Sequence, residues 1–301
     1  MLIRVSVPAT SANLGPGFDT FGLALNLRNT LTVITDEPFQ IELTGRYTAG
    51  IPCDETNLVW QTMLHLWRQA GFPVPVASLR LENNIPPARG LGSSSAAIGA
   101  GLLAANALAG SPFSRMELLH MAHILEGHPD NVTPALFGGV TFSLQTPEGI
   151  LPRVIAQNPP LRAVAIVPDL LLKTEAARAV LTREVPRTDA VFNIGHAALL
   201  VEAFLRQDYT LLRVGMEDRL HQEQRSSLIP GMKSALDAAL RAGAYGASLS
   251  GSGPTLLALT GSEAQEGVGQ AMHHALKSHG VQAEIYSLAI DPDGAKIEDP
   301  L

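Results

Sequence analysis

Alternating apolar and polar positions mark several short strands in the first part of the chain. The alternation predicts strands at Arg4–Val7, Leu31–Ile34, Gln40–Leu43 and Ser78–Glu82. Between them, apolar residues recur every three to four positions over Asn57–Ala70, which predicts an amphipathic helix. The alternating start lacks the charged lead and long apolar core of a secretory signal, so we expect it to belong to the mature fold.

Helical patterns dominate the stretch that follows. Helices are predicted at Ala96–Ala109 and at Ser114–Glu126, where Ser114 is expected to cap the first turn. A double glycine then introduces a strand at Gly138–Leu144.

Proline and glycine interrupt the pattern between Gln145 and Pro160, which indicates a domain boundary. We therefore expect an N-terminal domain at residues 1–155 and a C-terminal domain at residues 156–301. The second half again mixes both types of element. Strands are predicted at 161–167, 247–250, 255–260 and 283–288, and helices at 174–181, 189–206, 209–216, 231–242 and 263–279. Strands and helices interspersed in both halves predict an α+β protein of two layered domains.

Composition narrows the choice of partner. The 301 residues suffice for two buried cores, and the formal net charge of -7 gives no basic surface for nucleic acid or an anionic membrane. A small charged metabolite fits this balance better. The weakly polar stretch Ala96–Gly110 is shorter than the roughly 20 residues a membrane span needs. Cys53 is the only cysteine, which excludes an internal disulfide and is compatible with a cytoplasmic location.

The segment Pro86–Ala96 has the composition of an anion site. Gly90 and Gly92 permit backbone angles closed to other residues, and three serines lead directly into the predicted helix. Free N–H groups and the helix dipole favour a phosphate at this point. No lysine follows Gly92, so the segment does not match the common phosphate loop, and Mg²⁺ and arginines must supply the missing charge. The alternative is a loop that merely caps a helix.

Three further segments carry candidate chemistry. Val7–Asp19 runs from a strand into a Gly/Pro-rich turn that presents Asn13 and Asp19. Glu126–Asn131 follows a helix, and Glu126 is a candidate oxygen ligand for Mg²⁺ together with a serine hydroxyl and phosphate oxygens. Gly246–Thr255 contains a second Gly/Ser turn between strands. Taken singly, these segments also fit a surface turn, a solvated helix end and a tight hairpin.

In this order, the four segments resemble the GHMP family, the kinases of galactose, homoserine, mevalonate and phosphomevalonate. The likeness spans nearly the whole chain and is strongest to the members that act on L-homoserine, on the strength of Pro8–Asp19, Glu126–Asn131 and Ser250–Pro254. Thr174–Leu181 and Asp218–Pro230 also look like that group. The resemblance implies an N-terminal domain like domain 2 of ribosomal protein S5 and a C-terminal ferredoxin-like sandwich. It also implies transfer of the ATP γ-phosphoryl group to the side-chain hydroxyl of L-homoserine, a step toward threonine.

The resemblance assigns a role to each candidate residue. Mg²⁺ is expected on Ser94 and Glu126, which with Asp130 form the implied catalytic set. Two arginines, Arg178 and Arg225, are expected to clamp the homoserine carboxylate, since guanidinium groups bind carboxylates in bidentate fashion. The ammonium and hydroxyl are assigned to Asn13, Asp19, Asp130 and Asn131. The triphosphate is assigned to Pro86, Pro87, Ala88, Arg89, Gly90, Leu91, Gly92, Ser93, Ser94, Ser95 and Ala96, with Gly251, Ser252 and Gly253 close to the phosphates.

Several alternatives stay open at this level. Thr10 stands where sugar and mevalonate kinases carry a lysine, so the proton acceptor is Asp130, Asp19 or no residue at all. For His128, between Gly127 and Pro129, a structural or substrate-shaping role is favoured over that of a base. Other functions to be tested are an inactive sensor of the same fold and a kinase for another small alcohol. A homodimer is a further possibility.

Overall fold

The computed structural model describes residues 1–298, and its strands form two separate sheets. Strands and helices are numbered separately in chain order. The first sheet contains β1 (Leu2–Ala12), β2 (Phe21–Thr35), β3 (Gln40–Thr44), β4 (Ala77–Glu82), β5 (Val140–Thr146), β6 (Gly149–Ala156) and β11 (Lys296–Glu298). The second contains β7 (Arg162–Pro168), β8 (Gly246–Leu249), β9 (Leu256–Thr260) and β10 (Ala283–Ala289). The predicted α+β class is confirmed.

The helices pack on these sheets. They are α1 (Leu58–Ala70), α2 (Ser93–Leu108), α3 (Arg115–Glu126), α4 (Pro129–Phe137), α5 (Thr174–Ala179), α6 (Arg187–Arg206), α7 (Leu212–Gly215), α8 (Gln222–Arg225), α9 (Met232–Arg241) and α10 (Gln265–Ser278). The ends follow ordinary capping chemistry. Asn57 accepts a hydrogen bond from the amide of Val59 at the start of α1, and Gly71 ends that helix in a left-handed conformation. The predicted cap at Ser114 is confirmed as a capping box with Glu117.

The order of strands in the second sheet is β10-β7-β9-β8, with antiparallel neighbours throughout. Taken by position within this part of the chain, that order is 4-1-3-2, and helices connect β7 to β8 and β9 to β10. This is the connectivity of a ferredoxin-like sandwich. In the first sheet, β11-β1-β2-β4-β3 are successive neighbours, β5 pairs with β2, and only β3 and β4 pair in parallel.

Strand β7 shows how the two halves of the chain pack together. Its Ala163, Ala165 and Val167 belong to the large core around the first sheet. The intervening Val164 and Ile166 belong to a second core under α9 and α10. Because side chains alternate across a strand, both faces of β7 are covered by apolar residues. The halves therefore share an apolar interface.

The domain boundary near residue 155 stays a prediction. Strand β6 ends at Ala156 and β7 begins at Arg162, but the end of the chain returns to the first half, where β11 pairs with β1. The side chains of Arg28 and Asp291 form an ion pair that fixes this return.

Several elements differ from the sequence-based expectation, among them α8, which was not predicted, and β2, which begins at Phe21 instead of Leu31. Helix α4 was not predicted; it forms because Pro129 stands at the first helical position, where a missing N–H costs nothing. Strand β6 forms a hairpin with β5 inside the expected boundary region. Strand β11 was not expected. Helix α2 begins at Ser93 rather than Ala96, because Gly92 adopts a φ of +67° and starts the helix earlier.

One helix among residues 1–298, α6, is long and apolar enough to cross a membrane, by length and composition only. Of its apolar stretch, 22% is buried in the fold. Leu200, Ala203 and Phe204 of α6 are buried in the large core.

Candidate active site

A cavity of about 450 Å³ lies where the candidate segments meet. Its lining includes residues from both halves of the chain. The turn after β1 contributes Asn13 and Asp19, and α5 and α8 contribute Arg178 and Arg225. The predicted residues that line it are Asn13, Asp19, Pro87, Ala88, Arg89, Gly90, Leu91, Gly92, Ser93, Ser94, Glu126, Asp130, Asn131, Arg178, Arg225, Gly251 and Ser252. Four predicted residues, Pro86, Ser95, Ala96 and Gly253, do not line it.

Neighbouring segments hold the loop before α2 in place. Three consecutive carbonyls of the loop accept hydrogen bonds: Arg89 from the amide of Thr255 at 3.2 Å, Gly90 from Ser250 Oγ at 2.6 Å, and Leu91 from the amide of Thr10 at 3.1 Å. The carbonyls are thus engaged by protein donors. The Gly/Ser turn between β8 and β9 therefore lies against the serine-rich loop, as the shared site requires.

The start of α2 offers N–H donors to an anion. Helix geometry leaves the amides of the first turn of α2 without intrahelical acceptors. The N-cap residue is Gly92, and no side chain of the described residues caps these amides. Three serines, Ser93, Ser94 and Ser95, supply hydroxyls in the same turn. With sixteen residues, the helix is long enough to present a partial positive charge at this end. The site is suited to a phosphate group.

Gly92 also packs too closely for any larger residue. A Cβ at this position lies 1.9 Å from Thr10 Oγ1. That hydroxyl is buried and donates a 2.8 Å hydrogen bond to Asn131 Oδ1. Thr10 thus links the first strand to α4 and packs beneath the loop.

Glu126 lies directly beside the serines. Ser94 Oγ and Ser95 Oγ donate to Glu126 Oε1 at 2.6 and 2.9 Å. Adjacent oxygens in an octahedral Mg²⁺ shell lie about 2.9 Å apart, given metal–oxygen distances of about 2.0–2.1 Å. Ser94 Oγ and Glu126 Oε1, at 2.6 Å, are close to that spacing and are oxygen ligands of the kind that Mg²⁺ prefers. Residues 1–298 hold no cluster of three or more His, Cys, Asp or Glu side chains for a metal, so phosphate and water oxygens must complete the shell.

The guanidinium of Arg178 pairs with Asp19. Its two terminal nitrogens donate to the two carboxylate oxygens at 3.0 and 2.7 Å, and the hydrogen bond to Asp19 raises the pKa of Arg178. Asp19 is held in turn, because its amide donates to Asn13 Oδ1 at 3.0 Å. Asn13 Nδ2 donates to the Gly251 carbonyl at 3.0 Å. This bidentate pair between Arg178 and Asp19 thus joins the turn after β1 to α5.

Arg225 is almost completely buried, with 2% of its surface exposed. Its Nε donates to the Ala177 carbonyl at 3.0 Å, and one terminal nitrogen donates to the Gly251 carbonyl at 3.1 Å. Burial, followed by the charge of Arg178, lowers the pKa of Arg225 to about 10. The side chain still carries its charge at neutral pH. Both arginines lie over the ring of Phe18, at 5.5 and 5.3 Å from its centroid.

The first turn of α4 brings a carboxylate into the cavity. Asp130 is 2% exposed, and its Oδ1 lies 2.7 Å from His128 Nδ1. Burial alone lowers the pKa of His128, but the hydrogen bond and charge of Asp130 outweigh burial and raise that pKa above 6.5. His128 therefore orients Asp130, in keeping with the structural role favoured from the sequence.

The guanidinium of Arg89 is hydrogen-bonded to protein acceptors at the end of β7. Its guanidinium donates to the Pro168 carbonyl at 3.2 Å and to Asp169 Oδ1 at 3.1 Å. The arginine therefore ties the loop to the end of β7. Lys173, Arg178 and Arg225 are the other cationic side chains on the cavity lining.

Sequence reasoning missed part of the lining. The connection before α1 and the start of that helix contribute an apolar surface from Ile51, Pro52, Leu58 and Val59, and β4 adds Leu81. These residues belong to no polar or glycine-rich motif, so nothing in their local pattern distinguishes them from ordinary core positions. Lys173, just before α5, also lines the cavity and was not singled out.

Comparison with known proteins gives matches in both halves. The family described as "GHMP kinases N terminal domain" matches residues 57–139, and "GHMP kinases C terminal" matches residues 200–279. The homoserine kinase of Desulfitobacterium hafniense is 54% identical over 98% of this chain and 100% of its own. The homoserine kinase of a Synechococcus strain is 43% identical over 99% of this chain and 98% of its own.

Solved structures agree with these matches. The crystal structure of homoserine kinase from Cytophaga hutchinsonii superposes with a TM-score of 0.89 and 31% identity, over 99% of this chain and 97% of that one. A crystal structure of mevalonate kinase superposes with a TM-score of 0.71 at 13% identity, over 96% of this chain and 99% of that one. The second likeness concerns the fold alone.

Proposed function

The chain belongs to the GHMP kinase family, and on that premise we propose that it transfers the γ-phosphoryl group of ATP to the side-chain hydroxyl of L-homoserine. The product is O-phospho-L-homoserine, an intermediate of threonine biosynthesis. The observation that carries the proposal is the single cavity that joins an anion-binding helix start to two arginines and two carboxylates. The full-length identity to homoserine kinases supports the choice of substrate.

The nucleotide is assigned to the half of the cavity formed by the loop before α2. The backbone amides of the first turn of α2 and the hydroxyl of Ser93 bind phosphate oxygens at the positive end of the helix. The apolar surface of Ile51, Pro52, Leu58, Val59 and Leu81 suits the nucleoside. The roles of these residues are part of the proposal.

Mg²⁺ is assigned to Ser94 and Glu126, whose oxygens lie 2.6 Å apart. When bound, the ion neutralises negative charge on the phosphate groups. Glu126 supplies the formal charge of this site, and Ser95 Oγ, 2.9 Å away, holds the carboxylate in orientation.

The substrate half is electrically balanced. Arg178 and Arg225 contribute two positive charges, Asp19 and Asp130 contribute two negative charges, and Lys173 and Glu175 add one of each sign. A zwitterion such as homoserine adds no net charge and pairs with both signs, whereas a purely anionic alcohol upsets the balance and a neutral alcohol pairs with neither sign. We assign the carboxylate to the two arginines, and the ammonium and hydroxyl to Asn13, Asp19, Asp130 and Asn131.

Two carboxylates compete for the role of proton acceptor. Both oxygens of Asp19 are bound by Arg178. Asp130 shares Oδ1 with His128 and Asn131, and Oδ2 has no hydrogen-bond partner within residues 1–298. We therefore propose Asp130 as the acceptor. Phosphoryl transfer depends mainly on positioning and charge neutralisation, so a mechanism without a base predicts only a modest loss of kcat in Asp130→Asn. General base catalysis predicts a loss of about 10²- to 10⁴-fold.

A coupled assay of ADP release tests the proposed reaction against the alternatives. L-Homoserine, mevalonate and galactose are offered separately at equal concentration with ATP and Mg²⁺. Homoserine is expected to be turned over fastest. Nucleotide binding without ADP release in any arm indicates a sensor, and faster turnover of another alcohol indicates a different kinase.

Location and assembly complete the proposal. Cytoplasmic location is consistent with one exposed cysteine, Cys53, which has no disulfide partner in the chain. Homodimer formation stays a prediction, which light scattering of the purified chain tests directly.

A further inference from the structure

His221 is a buried histidine outside the cavity lining, and it contacts two parts of the substrate half at once. The residue is 1% exposed. Its Nε2 lies 2.8 Å from the carbonyl oxygen of Gly15, in the turn that presents Asn13 and Asp19. Its Nδ1 lies 3.2 Å from a terminal nitrogen of Arg225, one helical turn further along the chain. The ring thus bridges the first turn and the buried arginine.

The partners of the imidazole fix its protonation state. A guanidinium can only donate a hydrogen bond, so Nδ1 must accept from Arg225. A carbonyl oxygen can only accept, so Nε2 must carry the proton that is donated to Gly15. His221 is therefore neutral in a single tautomer. A proton on Nδ1 would place two N–H donors, each on a cation, against one another.

Hydrogen bonds hold the residues next to His221 in place. Asp218 is buried and accepts hydrogen bonds from the amides of Leu220, His221 and Gln222 and from Asn193 Nδ2. Asn193 Nδ2 also donates to the Pro16 carbonyl at 3.1 Å. Two adjacent carbonyls of the turn after β1 are thus bound by side chains of this cluster, Gly15 by His221 and Pro16 by Asn193. The charged groups around the ring are Asp218 before α8, Arg225 on α8 and Asp19 on the turn after β1.

We propose that His221 is a positioning residue for the substrate, because it sets the distance between Arg225 and the turn that carries Asn13 and Asp19. The inference rests on the proposed function, in which Arg225 binds the carboxylate and the turn binds the ammonium. Homoserine has its ammonium and its carboxylate attached to the same carbon. Arg225 and the turn that binds the ammonium must therefore be held at a fixed separation. His221 contacts neither the carboxylate nor the ammonium of the substrate. It acts through Arg225 and through the turn that carries Asn13 and Asp19.

Two substitutions separate the two contacts. The amide of glutamine in His221→Gln places a donor where Nε2 stands, so the Gly15 contact is kept and the acceptor for Arg225 is lost. The shorter amide in His221→Asn places its oxygen where Nδ1 stands, so the Arg225 contact is kept and the Gly15 contact is lost. His120→Gln is the control, because His120 also joins two elements through a backbone contact, to Ile150 at 3.3 Å, but contacts neither the turn after β1 nor Arg225.

The readouts are the KM values for homoserine and ATP, kcat, and the unfolding midpoint of each variant. We expect His221→Gln and His221→Asn each to raise the KM for homoserine by about tenfold, with the KM for ATP unchanged within about twofold. His120→Gln is expected to change only the unfolding midpoint. In an Arg225→Lys background, His221→Gln is expected to have little further effect on the KM for homoserine, because both changes act through one contact.

The possible outcomes decide the inference. Equal rises in both KM values, or no rise in the KM for homoserine in either variant, overturn it. An additive effect in the Arg225→Lys background overturns the coupling to that arginine. If a variant fails to fold, the other variant still tests its own contact. A wild-type chain that does not phosphorylate homoserine contradicts the proposed function instead.

Discussion

Replacement of Arg178 by lysine tests the recognition of the homoserine carboxylate. The guanidinium of Arg178 makes two hydrogen bonds to Asp19, at 3.0 and 2.7 Å, and we propose that its remaining N–H donors bind the substrate carboxylate. Lysine keeps the positive charge but loses the planar pair of donors. The substitution therefore changes geometry more than charge.

The expected effect follows from the number and exposure of these bonds. A hydrogen bond to a charged group contributes about 1.5–3 kcal/mol. The side chains of Arg178 and Asp19 are 39% and 35% exposed, so solvent screening places the loss of one such bond at the lower end, about 1–2 kcal/mol. This corresponds to a rise of about 5- to 30-fold in the dissociation constant for homoserine. Arg178 is the cleaner choice, because lysine at Arg225 also breaks contacts with Ala177 and Gly251.

Calorimetric titration measures the effect without turnover. Homoserine is titrated into wild type and Arg178→Lys, each with a non-transferable ATP analogue, and the ATP analogue is titrated separately. 3-Aminopropan-1-ol, which lacks the carboxylate, serves as the control ligand and is expected to bind both proteins equally. The reasoning is refuted if Arg178→Lys weakens the ATP analogue and leaves homoserine unchanged, since the arginine then belongs to the nucleotide half.

Three further predictions follow from the site and the loop. Glu126→Gln is expected to fold normally and to lose kcat by roughly 10²-fold or more, with partial rescue by excess Mg²⁺; full activity at low Mg²⁺ removes Glu126 from the metal site. Gly92→Ala is expected to abolish ATP binding, because its Cβ meets Thr10 Oγ1 at 1.9 Å, whereas Gly110→Ala, also at positive φ but with no atom within 4 Å, is expected to bind ATP normally; equal binding by the two variants contradicts the packing argument. Burial lowers the pKa of His221 below 6.5, so the unfolded chain binds the extra proton and the unfolding free energy contributed by this residue falls as pH drops below about 6.5. Denaturant titrations at several pH values are expected to show that the unfolding free energy of His221→Gln falls less steeply with decreasing pH than that of wild type. The same dependence on pH in both proteins argues against a buried neutral imidazole.

The sequence predicted the fold where local pattern and final structure agree. Alternation predicted β1, β3 and β4 and the second half of β2, and the Ser114 cap predicted the start of α3 because its hydrogen bonds are local. Helix α4 was missed because Gly127, Pro129 and Pro134 are usually read as breakers, although Pro129 occupies a position that tolerates proline. Strand β6 was missed because its turn resembles a linker in composition.

The candidate site was predictable to the extent that its residues lie in motifs. Glycine, serine and acidic residues at strand and helix ends drew attention to the turns that the structure brings together. The contact between His221 and Gly15 joins residues 206 positions apart, and no short-range pattern carries that information. The pairing of Arg178 with Asp19 likewise depends on how the two halves pack.

Identification of the reaction product tests the central claim most directly. The purified chain is incubated with ATP, Mg²⁺ and L-homoserine, and the phosphorylated product is followed by phosphorus NMR and mass spectrometry. The account predicts one O-phospho-L-homoserine for each ADP formed, with phosphorus coupled to the protons of the side-chain CH₂ group. Release of ADP and inorganic phosphate without this ester, or no turnover of homoserine by a folded chain that binds ATP, contradicts the account.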